Sequence, residues 1–187
     1  MRKIVLYTLM SLDGAVDSPD RYFAEPPEDA QTPEFDDAMV DFEREAIGNQ
    51  DAVLLGRGMY DEWSGFWPGT DYQPFSDFIN GVTKHVLTST PLSKEWTNAT
   101  AVSGTLPDVV RDLKAQPGKD IGVHGSITLA QSLLREGLVD ELRLLIGPAI
   151  GCTGRRLFEG VDARRLELVS AVTTPSSALC VVYRPVR

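Results

Sequence analysis

The segment Ala52-Val53-Leu54-Leu55-Gly56-Arg57-Gly58-Met59 sets a guanidinium between two glycines at the end of an apolar run. A guanidinium is a planar fork of donors that matches phosphate geometry. Glycine lets a ligand approach the backbone closely. A helix starting there adds unpaired N–H groups and a partial positive charge. The chemistry on offer is anion binding, and a plain structural turn accounts for the same residues equally well. Three more segments share the form: Ser11-Leu12-Asp13-Gly14, Thr88-Ser89 and His124-Gly125-Ser126 each follow an apolar run. Each has a bland reading as well. Asp13 with Gly14 suits a turn, Ser126 suits a helix cap, and Thr88 and Ser89 suit an ordinary strand end. His85 and His124 have no metal-ligand spacing, and no GxSxG, Walker A, HExxH or CxxC pattern occurs.

Four such segments serve one site only if the strands before them end on one edge of one sheet, where ligands of open α/β sheets bind. The sequence supplies the strands. Apolar, β-branched runs predict strands over 4–9, 51–55, 84–89, 100–103, 121–123 and 142–146, with 166–172 and 178–183 as an antiparallel pair. Helical spacing predicts helices over 35–46, from 59 to 63, and over 75–79, 106–115 and 127–135. Residues 17–33, 64–72 and 147–160, rich in Pro, Gly or acids, read as loops. Strands alternate with helices and then follow one another alone. That order predicts a largely parallel sheet covered by helices, with an antiparallel C-terminal edge.

The balance of 27 acidic and 18 basic residues over 187, a formal charge of −9, argues against nucleic acid binding through the general surface. It leaves room for one local anion site. Cys152 and Cys180 are too far apart in sequence for a CxxC pair, so neither a disulfide framework nor a metal site is expected. No apolar run reaches about 18 residues, so no membrane span is expected. No cleavable leader is evident at the N-terminus, and a cytoplasmic protein is expected.

Together and in order, these segments resemble the dihydrofolate reductase-like superfamily, and most of all the reductase domain of the riboflavin-biosynthesis deaminase–reductase. The resemblance rests on Ser11-Leu12-Asp13-Gly14, Leu54 to Tyr60, His85 to Ser89, Val123 to Leu129, and above all Leu133 to Leu142 followed by Gly147 to Gly154. It implies an α/β, dihydrofolate reductase-like three-layer fold over residues 1–187 as a single domain. Its central sheet is mostly parallel, with antiparallel C-terminal edge strands and flanking helices. It implies an NADPH-dependent reductase that transfers a hydride to a pterin-like or ribosylamino-pyrimidine substrate, like 5-amino-6-(5-phosphoribosylamino)uracil reductase. The alternative is a non-catalytic nucleotide or heteroaromatic-ligand binding module on the same fold, and a flavin enzyme is a third.

By the same resemblance, Gly56, Arg57, Gly58 and Met59 would hold cofactor phosphates, with Arg57 on the 2′-phosphate or the pyrophosphate. Thr88 and Ser89 would flank the adenosine, and His124, Gly125, Ser126 and Ile127 would offer N–H groups to the pyrophosphate. Leu9 and Val16 would lie by the nicotinamide, Met39 and Phe42 would line the substrate pocket, and Asp13 or an ordered water would be the proton donor. Dihydrofolate reductases carry an acid on the pocket helix, and Asp36, Asp37 and Asp41 fall nearby. A cis peptide can occur in such enzymes where this chain has His124-Gly125. The resemblance also implies a homodimer, with Cys180, Val181 and Val182 at the interface. The zinc deaminase signature, HxE with PCxxC, does not occur.

Overall fold

The computed structural model of the protein describes residues 1–23 and 35–186. The strands are β1 (Ile4–Ser11), β2 (Gln50–Gly56), β3 (Thr83–Leu87), β4 (Ala99–Val102), β5 (Asp120–Val123), β6 (Glu141–Gly147), β7 (Leu166–Thr173) and β8 (Leu179–Pro185). The helices are α1 (Asp37–Gly48), α2 (Arg57–Phe66), α3 (Phe75–Gly81), α4 (Leu106–Ala115) and α5 (Ile127–Arg135). The strands form one eight-stranded sheet in the order β4-β3-β2-β5-β1-β6-β8-β7. Strands β1 to β6 pair in parallel, while β8 runs antiparallel to β6 and β7 antiparallel to β8. The expected α/β class, with its antiparallel C-terminal edge, is what the chain adopts.

The period of two along a strand divides the core between two faces. Ile4 and Leu6 of β1, with Ala52 and Leu54 of β2, pack with Val110 and Leu113 of α4 and Leu129 and Leu133 of α5. Val53 and Leu55 of β2 point the other way, onto Ile47 of α1, Tyr60 of α2 and Ile79 of α3. Strand β1 is mostly apolar, because its first half is covered on both faces.

Two differences from the sequence reading bear on the site. Helix α1 begins at Asp37 rather than 35, because the Asp36 carboxylate caps it by accepting from Met39 N at 3.0 Å. Asp36 also accepts from Ser176 N and Oγ, which ties the start of α1 to the β7–β8 turn. Helix α2 starts at Arg57 and continues through Phe66 into a 3₁₀ turn over Trp67–Gly69, where a loop was expected from 64. The break comes with Pro68, later than Gly65 suggested. The expected loop over 17–33 falls largely outside the described residues, and its start holds a 3₁₀ turn over Pro19–Arg21. Among the described residues the cis peptide is Gln73–Pro74, not His124–Gly125.

The C-terminal edge also departs from expectation. Cys180, Val181 and Val182 are core residues at 2, 6 and 4% exposure, so they cannot form an interface. Their neighbour β7 is exposed along its whole length, with Leu168 and Val172 both 53% exposed. Among the described residues no helix is long and apolar enough to cross a membrane, and no cluster of three His, Cys, Asp or Glu is placed to hold a metal.

Candidate active site

Strands β1, β2 and β5 are neighbours in the sheet, so Ser11, Gly56 and Val123 end on one edge. Two hollows open there. One is a groove of about 680 Å³ lined by Gly56, Arg57, Gly58, Met59, Ser126 and Ile127, together with Thr128 and Arg155. The other is an aromatic cavity of about 240 Å³, walled by Phe35, Trp63, Phe66, Trp67, Tyr72 and Phe75 and reached also by Tyr7, Leu9, Val16, Glu43, His124 and Gly125. Ile127 lines both.

The groove is built from two open helix ends. Helices α1 and α4 are capped by the side chains of Asp36 and Thr105. Helices α2 and α5 have no side-chain cap. The Ser126 hydroxyl, the natural cap for α5, instead accepts from Gly56 N at 3.1 Å and joins the end of β2 to the start of α5. The first N–H groups of α2 and α5 thus face the groove without a side-chain partner, a fitting cradle for phosphates. The Arg57 guanidinium is already engaged. It donates to both Asp61 oxygens at 2.9 Å, to Thr90 Oγ1 at 2.8 Å, to Pro91 O at 2.9 Å and to Ser93 Oγ at 3.1 Å. Arg57 therefore anchors the loop after β3. Arg155 is the cation over the start of α5, donating to Thr128 Oγ1 at 3.2 Å. Strand β3 ends at Leu87, which lines the groove, while Thr88 folds back onto Thr90. Thr88 and Ser89 are not among the lining residues.

The aromatic cavity holds polar atoms that lack partners. Glu43 of α1 is 4% exposed and its Oε2 has no hydrogen bond. Burial pushes its carboxyl up to about 7, against a smaller opposing pull from Arg44. The hydroxyls of Tyr7 and Tyr72 are also unpartnered. Burial first, and the charge of Glu43 second, raises both phenols. His124 Nε2 lies 2.8 Å from Gln50 Oε1, and His124 Nδ1 and Gln50 Nε2 are left without partners. Burial lowers the His124 imidazole to about 3 and keeps it neutral. Gly122 leaves room for this pair, since a Cβ there would collide with Gln50 Oε1. Gly125, at φ 62°, lies against the Trp63 ring, where a Cβ would collide as well.

Two expectations are corrected. Asp13 is not a lining residue of the cavity. Its carboxylate accepts from Ser11 Oγ at 2.6 Å, Gly151 N at 2.7 Å, Cys152 N at 3.0 Å and Arg156 Nη1 at 2.8 Å. The Ser11 and Arg156 bonds lead in holding it well below the usual carboxylate range. A carboxylate so engaged clamps the 147–156 turn to the end of β1 and is a poor proton donor. Met39 and Phe42 do not line the cavity either. Met39 packs in a separate core with Leu145 and Cys180, and Phe42 lies behind Tyr7 with ring centroids 6.0 Å apart. The acid that does reach the cavity is Glu43, not Asp36, Asp37 or Asp41. The sequence reading missed Glu43 and Arg155, and with them the aromatic walls Trp63, Phe66, Trp67, Tyr72 and Phe75.

Residues 2–180 match the model of the RibD C-terminal domain. The chain belongs to that family. The uncharacterised Bacillus subtilis protein YyaP is 28% identical over 192 residues, covering 97% of this chain and 94% of its own. Among solved structures, a putative riboflavin biosynthesis protein from Shewanella sp. PV-4 is similar, with a TM-score of 0.74 at 20% identity over 99% of both chains. A Thermotoga maritima diaminohydroxyphosphoribosylaminopyrimidine deaminase/5-amino-6-(5-phosphoribosylamino)uracil reductase gives a TM-score of 0.66 at 15% identity. The chain spans 57% of that protein. The resemblance read from the sequence is borne out, and the RibD C-terminal family makes the chain reductase-like.

Proposed function

We propose that the protein is an NADPH-dependent reductase that transfers a hydride to a flat pterin-like or ribosylamino-pyrimidine ring. The observation that carries this reading is the junction at Ile127. A groove with two open helix ends meets an aromatic slot there, as a long cofactor and a ring substrate require. NADPH, when bound, supplies the hydride. The chain's part is to orient and to exclude water. The N–H groups at the starts of α2 and α5, with Arg155, hold phosphates. Leu9, Val16 and Ile127 flank the meeting point, and the aromatic walls stack the ring. Glu43 Oε2 accepts an N–H of the ring. With its carboxyl near 7, it is also the cavity's best-poised group for holding a proton at neutral pH.

The test is a calorimetric titration with NADPH and, in parallel, NADH, followed by a substrate panel. Saturable NADPH binding with oxidation in the presence of a ring substrate supports the reductase. Binding without oxidation across the panel supports the binding module instead. The proposal extends to a homodimer through the exposed β7. Sedimentation of the wild type and of Leu168→Asp would show a dimer in the first and a monomer in the second.

A further inference from the structure

The ladder between β2 and β5 slips at Gln50. Gln50 stands opposite Asp120 and Ala52 opposite Ile121, so β2 spends one residue more than β5. Without that bulge, the period of two would turn Gln50 to the face of Ala52 and Leu54, toward α4 and α5. With it, Gln50 shares the face of Asp120, Gly122 and Val53. One step further along the same row lies His124. Its imidazole reaches back along β5 and meets the Gln50 amide, Nε2 to Oε1 at 2.8 Å, above the bare backbone of Gly122. A Cβ at Gly122 would collide with both side chains. A bulge, a glycine and a side chain reaching back all serve this one hydrogen bond.

Packing alone does not account for the pair. Gln50 and His124 are 6 and 2% exposed. The imidazole lies among the rings of Tyr7, Phe75 and Phe78, with centroids 5.6, 5.3 and 5.8 Å away. Two apolar side chains of like shape would fill that space at no loss of stability. What the bond holds is a turn. Strand β5 ends at Val123 and α5 begins at Ile127, with His124, Gly125 and Ser126 between them. Ser126 N donates to His124 O at 2.6 Å, Gly125 takes φ 62°, and Ser126 Oγ accepts from Gly56 N at 3.1 Å. His124 and Gly125 also line the aromatic cavity. An imidazole released from Gln50 is free to rotate toward that cavity and to carry the turn with it. We propose that Gln50 is a positioning residue, which acts through the His124 imidazole to fix the His124-Gly125-Ser126 turn, and so the start of α5 and one wall of the cavity. Gln50 itself lines neither hollow. The inference rests on the proposed function only in giving the α5 start to cofactor phosphates.

The test combines amide NMR of the folded protein with calorimetric titration of NADPH, on the wild type and on variants of the pair. Gln50→Met keeps the length of the side chain and removes the bond. It should weaken NADPH about tenfold, as the loss of one buried hydrogen bond allows, and it should broaden or split the amide signals of Gly125 and Ser126. Gln50→Glu keeps an oxygen at the same reach and should restore both. In a His124→Phe background, Gln50→Met should change NADPH affinity by less than about twofold, because a residue that acts through another has nothing left to act on. Gln50→Asn, which draws the amide back by one methylene, takes the place of Gln50→Met if that variant does not fold. A variant that unfolds at lower temperature but keeps its NADPH affinity and its Gly125 and Ser126 signals overturns the proposal, since the pair would then be packing alone. Losses that add in the Gln50→Met, His124→Phe double variant overturn it too. A wild type that binds no NADPH sinks the reductase reading and leaves this inference to the amide signals. Signals disturbed in Gln50→Met and restored in Gln50→Glu support it, and undisturbed signals overturn it.

Discussion

The two ends of the sheet use buried carboxylates in opposite ways. At the end where β1 and β6 begin, Glu141 is 3% exposed and accepts from Arg143 Nε at 2.9 Å, Arg184 Nη2 at 3.0 Å and Lys3 Nζ at 3.2 Å. Burial alone would raise its carboxyl, but the bonds from Arg143 and Arg184 outweigh burial and hold it low. Near the ends of β1 and β5, Glu43 is equally buried and has no such partners, and it rises to about 7. The same side chain is structural where its lone pairs are filled and available where they are not. Among the described residues, the buried polar atoms without a partner belong mostly to residues lining one cavity, with Gln50 Nε2 and Arg143 Nη1 as exceptions, a concentration that favours that end as the ligand site.

The largest expected effect breaks the filled end. Glu141→Ala strands the buried Arg143 without its closest partner. Removing one member of a buried pair costs about 3–5 kcal/mol. Urea denaturation should show that loss, while NADPH affinity in the folded fraction stays unchanged. A loss below about 1 kcal/mol would mean the network is no stronger than a surface pair.

Glu43→Gln should act with the opposite sign. The Glu43 carboxyl titrates at about 7 in the fold against 4.5 in the open chain. The folded state therefore holds the extra proton between those values, and stability falls as pH rises from 4.5 through 7. Removing the charge should stabilise the protein by up to about 3 kcal/mol at pH 8 and by little at pH 4.5. Reductase turnover should fall in the same variant. A variant that is stable, inactive and flat in pH is what a functional acid held at a cost to folding predicts. Equal stability of wild type and variant at pH 8 would place Glu43 in contact with water.

How much of this was legible depended on the range of the interaction that decides it. The strand ends were legible because apolar runs stop at them, and their gathering on one edge followed from the alternation of strands and helices. Helices α4 and α5 have the bounds their spacing predicted. Glu43 had a signal that went unused. It lies four residues after Met39, on the stripe that α1 buries, where a carboxylate is out of place. Arg155 had none, because the turn over 147–160 has no periodicity and its place over α5 is set by tertiary contacts. The roles given to Arg57 and Asp13 fall on groups that already have partners, for a related reason. Sequence shows which groups can bind an anion or give a proton, and not which of them neighbouring residues have already occupied.

The next effect down sharpens the open end without touching a charge. Gly125 adopts φ 62° beside Trp63, at the edge of the cavity near its junction with the groove. Gly125→Ala meets both a left-handed backbone penalty of about 1–2 kcal/mol and a collision with the Trp63 ring. Its unfolding midpoint should drop modestly. Ring and cofactor affinity should fall together, because Trp63 must move into the cavity or the α5 start must move away from the groove. A loss of one without the other would mean that the cavity and the groove respond as separate sites.

The smallest effect decides which arginine belongs to the open end. Arg57 is filled like Glu141, and Arg155 has room like Glu43. Arg155→Ala should weaken NADPH about tenfold, near 1.4 kcal/mol, since one guanidinium contact to phosphate is removed from an otherwise intact groove. Rising salt should shrink that difference, because Arg155 is exposed. Arg57→Ala should act through the loop holding Thr90, Pro91 and Ser93, lowering NADPH and NADH affinity alike. If Arg57→Ala instead weakened NADPH selectively, its hydrogen bonds to Asp61 and the loop would have to open for the 2′-phosphate. Filled and unfilled groups would then be states that a ligand exchanges, and the contrast between the two ends of the sheet would describe only the protein alone.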